Sequence, residues 1–68
     1  MITAIRNDEN TRISFTRNGK EIAYAVREKI SPYFWLLKIP LRDGYIDRDQ
    51  YSNDLIERVK YGKYKELQ

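Results

Sequence analysis

Apolar residues recur along this chain with two different periods. In "TRISFTRNGKEIAYAV", residues 11 to 26, they alternate with polar or small residues on either side of Asn18-Gly19. Period-two alternation marks a strand with one buried face. Asn-Gly is the preferred two-residue type I′ hairpin loop, because both of its positions need a positive φ. The pattern therefore predicts a β-hairpin with strands at about 11–17 and 20–28. Such a loop sets Arg17 opposite Lys20, and counting outward pairs Phe15 with Ile22, Ile13 with Tyr24 and Thr11 with Val26. Those pairs would share one large apolar face. Thr16 with Glu21, Ser14 with Ala23 and Arg12 with Ala25 would share the other, which is small and polar.

Toward the C-terminus the period becomes helical. Tyr51, Leu55, Ile56 and Val59 form one stripe at three- and four-residue spacing. Asp47 and Gln50 read as a capping box, with Ile46 and Tyr51 as a hydrophobic staple around it. Asp47 and Asp49 suit the positive end of a helix dipole, and Arg58 and Lys60 suit the negative end. Asp54 and Arg58 are spaced to pair. Gly62 is the residue type that follows a last helical turn. These signals predict a helix over about 48–61 and a tail over 63–68.

Between the two patterned regions lies "SPYFWLLKIP", residues 31 to 40, where the apolar residues are continuous. Pro32 and Pro40 bound the run, so it reads as a strand over about 33–39. If Tyr33, Trp35, Leu37 and Ile39 enter the core, then Phe34, Leu36 and Lys38 face outward. The opposite phase leaves Tyr33 and Trp35 outside instead. "ITAIR", residues 2 to 6, is a short first strand, and the polar "NDEN" and "RDGY" are turns.

The expected architecture is α+β: one small two-layer domain over residues 1–68, a three- or four-stranded antiparallel sheet with one C-terminal helix on one face. The expected core holds Ile13, Phe15, Ile22, Tyr24, Val26, Leu55, Val59 and Ile56.

Composition narrows the chemistry. A chain of 68 residues buries only roughly 60% of its unfolded surface on folding, so its core is small. It has no Cys and no His, so a disulfide is excluded and the usual zinc and haem ligands are missing. No cofactor is expected. The cluster Asp43, Asp47 and Asp49 could offer oxygens to a divalent cation, but a turn, a helix cap and a first-turn acid account for the three, and no metal site is assigned. The Gly residues are isolated, and acids crowd the helix start where an anion would sit. These absences point away from an enzyme. No apolar run approaches the roughly 20 residues of a membrane span, and the start "MITAIRNDEN" lacks a signal peptide's apolar centre, so a cytoplasmic location and no membrane partner are expected.

What remains is binding. The hairpin register and the first phase of residues 33–39 place Ala23, Ala25, Phe34 and Leu36 at the centre of the sheet face away from the helix, with Arg12, Arg27 and Lys38 at its margin. An apolar centre with a charged rim is the anatomy of a protein contact. The leading expectation is a non-catalytic protein-binding module, a small regulator or inhibitor that occludes or locks a larger protein partner. A homodimer formed by stacking these faces is a second option, and a tail folded back through Tyr64 and Leu67 a third. The rival is a nucleic acid, either a DNA major groove or a single strand. Arg12, Arg17, Lys20, Arg27, Lys29 and Lys38 would make its contacts. The pI of 9.3 favours that rival. The net charge of only +3, with both signs interspersed, argues against it.

Overall fold

The turn at Asn18-Gly19 forms as its residues predict, with φ of 53° and 78°. Around it a computed structural model, which describes all 68 residues, builds a five-stranded antiparallel sheet and one helix. The strands are β1 (Ile2–Arg6), β2 (Arg12–Arg17), β3 (Lys20–Arg27), β4 (Trp35–Lys38) and β5 (Asp47–Asp49). They lie in chain order, each paired with its neighbours. Helix α1 spans Ser52–Lys60, and a 3-10 turn covers Lys65–Leu67.

The hairpin register holds for two pairs and then slips. Arg17 faces Lys20 and Thr16 faces Glu21, but Phe15 faces Ala23, with Ile22 as the extra residue of a bulge. Beyond the bulge every residue of β3 changes face, because a one-residue slip inverts a period-two pattern. Ala23 and Ala25 are completely buried, and Tyr24 and Val26 move to the other face. The expected core positions of Tyr24 and Val26 are corrected accordingly. Packing supplies the reason. Ala25 sits between Ile13 and Leu37, and Ala23 beside Phe15. Large residues on β2 and β4 fill the centre, so the middle strand contributes small ones.

The core consists of Ile13, Phe15, Ala23, Ala25, Trp35, Leu37, Leu55, Val59 and Leu67. Ile22, Ile39 and Ile56 pack against it, while Tyr33 is half exposed and lies outside. Trp35 and Leu37 are inward, and Phe34, Leu36 and Lys38 are half-buried alternates between and beside them.

The C-terminal third departs most from expectation. Asp47, Arg48 and Asp49 do not start a helix; they form β5 against Trp35–Leu37. The Ile46 N–H donates to the Leu37 carbonyl at 2.8 Å and extends that ladder. Tyr51 occupies the N-cap position with no side-chain cap bond, and it is largely exposed, so neither the capping box nor the staple forms. The end of the helix follows its sequence. The Gly62 N–H donates to the Val59 carbonyl and the Lys63 N–H to the Arg58 carbonyl, with Gly62 at φ 71°. That pair of hydrogen bonds is the Schellman ending glycine permits. The tail then turns inward: Leu67 is buried, and its carbonyl accepts a 2.9 Å bond from Arg17 Nη2.

Candidate functional site

The alternates that do not enter the core gather on the outer face of the sheet. Their arrangement follows from the register. One cross-strand row runs Arg12, Val26, Leu36, Arg48, and the next runs Ile5, Ser14, Tyr24, Lys38. Phe34 precedes β4 in phase with Leu36. The centre is therefore Tyr24, Val26, Phe34 and Leu36, all half-buried by one another, with Ile5 more than half exposed beside them.

Arginines brace both flanks. The Arg12 guanidinium lies 4.5 Å from the centre of the Tyr24 ring, and that of Arg48 lies 4.0 Å from the centre of the Phe34 ring. A guanidinium over an aromatic face is held by the ring quadrupole while its N–H edges stay available. Arg12 also pairs with Glu21 at 3.0 Å and donates to the Ser14 hydroxyl. The hydrogen bond from Arg12 is the main reason that the Glu21 carboxyl sits below its usual range. Arg48 and Lys38 have no carboxylate within ion-pair distance.

The expected contact residues divide. Phe34, Leu36, Lys38 and Arg12 share the outer face. Ala23 and Ala25 do not; the bulge puts them at the bottom of the core. Arg27 leaves with them, opposite Trp35 and over the Tyr33 ring at 5.3 Å. The six cations assigned to nucleic acid scatter. Arg17 is bound to the Leu67 carbonyl, Lys20 is exposed next to the hairpin turn, Lys29 lies in the β3–β4 loop, and Arg27 is on the core side; of the six, Arg12 and Lys38 alone lie on the outer face. Tyr24, Val26 and Arg48 were missed. Tyr24 and Val26 required the bulge, which no turn residue announces, and Arg48 required β5. The tail does not cover this face, since Leu67 belongs to the core cluster and Tyr64 packs against it.

A second cluster is structural in its connections. Arg58 Nη1 meets Asp49 at 2.8 Å and Nη2 meets Asp47 at 3.1 Å, while its Nε donates to the Tyr64 hydroxyl at 2.9 Å. The Tyr64 hydroxyl donates to Asp47 in turn. Burial disfavours the Asp47 carboxylate, yet Tyr64, the Arg48 N–H and Arg58 outweigh it and hold its pKa below the usual range. For Asp49 the Tyr51 N–H does most of this, helped by Arg58. Burial, then the bond to Asp47, pushes Tyr64 up to about 12. The carboxylates that could have served a cation are thus committed to Arg58 and Tyr64, and Asp43 is exposed in its loop.

Comparison of the chain with protein-family models, with curated proteins and with solved structures gives no match. No helix is long and apolar enough to cross a membrane.

Proposed function

We propose that this protein is a non-catalytic protein-binding module that occludes or locks a larger protein partner, and that the sheet face turned away from α1 is its contact surface. The observation that carries this reading is the outer face itself: four large side chains, Tyr24, Val26, Phe34 and Leu36, grouped on the solvent side of a sheet and flanked by ring-stacked Arg12 and Arg48. Aromatic and Arg side chains around an apolar centre are the residues that dominate protein–protein affinity. The scattering of Arg17, Lys20, Arg27 and Lys29 favours a protein over a nucleic acid, because phosphate contacts need cations along one surface.

The test is Phe34→Asp, which puts a charge into the apolar centre. The expected result is a domain with an unchanged circular dichroism spectrum that no longer captures, from nuclease-treated host extract, a protein that the wild type captures. Capture that survives the substitution overturns the reading. Binding to duplex or single-stranded oligonucleotide that weakens steeply with salt, with a shallower slope in Arg12→Ala, would establish the nucleic-acid alternative.

A further inference from the structure

The outer face carries information about the shape and charge of what it holds. In the row Arg12, Val26, Leu36, Arg48, the two apolar residues are central and the two arginines terminal. Three interstrand gaps of roughly 4.8 Å set the terminal Cα atoms about 14 Å apart. An α-helix with its side chains is about 10–12 Å across. Along the strands, the stretch from Phe34 to Lys38 covers about 13 Å, the length of roughly nine helical residues. The strip is therefore the width and length of a short helix.

Its charge is uneven. Arg12, Lys38 and Arg48 stand against Glu21 and Glu28, the latter opposite Phe34, where its N–H donates to the Phe34 carbonyl at 2.8 Å. Arg12 is paired with Glu21, which leaves Lys38 and Arg48 against Glu28, a net of one positive. Arg48 is exposed, stacked on Phe34 and without a carboxylate partner.

We infer that the outer face receives an amphipathic helix of a protein partner, laid along β3 and β4 with its apolar stripe on Val26, Leu36 and Phe34 and with acidic residues on the flank facing Arg48 and at the end facing Lys38. This rests on the protein-binding reading and names the partner's chemistry. Apolar anchors at helical spacing are the usual mode by which a groove or strip takes a helix. The carboxylates add discrimination, because like charges set opposite each other across an interface repel.

The probes are synthetic peptides of about 18 residues, long enough for five turns. One has a leucine stripe flanked by Glu, and its counterpart has the same stripe flanked by Lys. Calorimetry gives affinity, and amide chemical-shift mapping gives the location. The Glu-flanked peptide is expected to bind at least about tenfold more tightly and to shift Val26, Phe34, Leu36 and Arg48. Arg48→Glu, at an exposed position, should reverse the preference, and Lys38→Glu should do so in part. Equal affinity for both peptides, shifts confined to another surface, or no binding by either overturns the inference. If it fails in any of these ways while Phe34→Asp still abolishes capture of the native partner, the protein-binding reading stands and the helix does not. Loss of both leaves neither. Preference for a duplex oligonucleotide over both peptides also overturns it.

Discussion

Three consecutive residues, Asp47, Arg48 and Asp49, divide the molecule's two kinds of work. They form one short strand, so their side chains alternate. Both aspartates meet Arg58, and Asp47 also takes the Tyr64 hydroxyl, which ties β5 to α1 and the tail. Arg48, between them, points to the outer face and lies on Phe34 with no carboxylate within ion-pair distance. The same contrast runs across the whole sheet. Leu37 is completely buried, whereas its neighbour Leu36 is half-buried on the outer face. One face carries the buried core, and no buried polar side-chain atom is left without a hydrogen bond. The other has large apolar groups and two cations that the chain does not use.

The largest expected effect comes from breaking the satisfied face. Leu37→Ala removes a fully buried side chain and should cost about 2–5 kcal/mol. A domain of this size holds only about 3–5 kcal/mol in total, so the variant should be largely unfolded at room temperature. Leu36→Ala, one residue away, should lose less than about 1.5 kcal/mol and stay folded. Urea melts followed by circular dichroism measure both. Equal losses would erase the distinction between the two faces.

The Arg58 cluster comes next. Arg58→Ala leaves Asp47 and Asp49 facing each other without a cation and should cost about 1–2 kcal/mol. Its pH dependence has a definite sign. Asp47 and Asp49 have folded pKa values below their unfolded ones, so their contribution is present above the ordinary carboxylate range near 4 and is lost as pH falls through the folded values. Tyr64 is raised to about 12, so its contribution is complete below its unfolded value near 10 and is lost as pH rises toward 12. Thermal melts of the wild type should decline at both ends, below pH 4 and above pH 10, and Arg58→Ala should flatten the acid limb. An unchanged acid limb would mean that the cluster does not tie the tail down.

What the sequence disclosed, and what it hid, follows the same division between local and distant causes. The type I′ turn and the Gly62 ending depend on one or two residues with positive φ, and both were legible. The inward phase of Trp35 and Leu37 was one of two that the sequence left open, because a continuous apolar run carries no alternation of its own. The bulge at Ile22 was not legible. Its cause is the volume of Phe15, Ile13 and Leu37 on the neighbouring strands, and the hairpin's own pattern of large Ile22, Tyr24 and Val26 pointed the other way. Strand β5 was hidden because Asp-Arg-Asp has poor strand propensity and a convincing resemblance to a helix cap. Arg58, from a later element, is what gives those carboxylates a different use. Of the candidate site, Arg12 was therefore readable from the hairpin, Phe34, Leu36 and Lys38 only on the first of the two phases, and Tyr24, Val26 and Arg48 not at all.

A smaller effect, of opposite sign, is expected at the loop joining β4 to β5. Leu41 has φ 66° and is fully exposed, and the Arg42 N–H donates to the Ile39 carbonyl at 3.2 Å. With Pro40 before it, this has the form of a type II turn, whose third position favours glycine. Leu41→Gly relieves the left-handed strain and should raise stability by about 1 kcal/mol, or the melting temperature by roughly 4–8 °C. A lower melting temperature would mean that the leucine side chain contributes more than the turn strain costs. Because the substitution stabilises the domain without touching the outer face, it also gives a sturdier background in which to compare variants there.

The smallest expected effect on stability is the most informative about the outer face. Arg48→Ala removes an exposed side chain with one ring contact and no ion pair, and surface changes of this kind fall within about 0.5 kcal/mol. Arg58→Ala, also an arginine truncation, should cost several times more. The difference arises because Arg58 is answered by carboxylates of its own chain and Arg48 is not. If Arg48→Ala destabilises as much as Arg58→Ala, the stacked guanidinium serves the fold, and the outer face loses its best candidate for a group held in readiness for a partner. If the melt is unchanged while affinity for the Glu-flanked peptide drops about tenfold, Arg48 is kept where it is by Phe34 for use outside the chain.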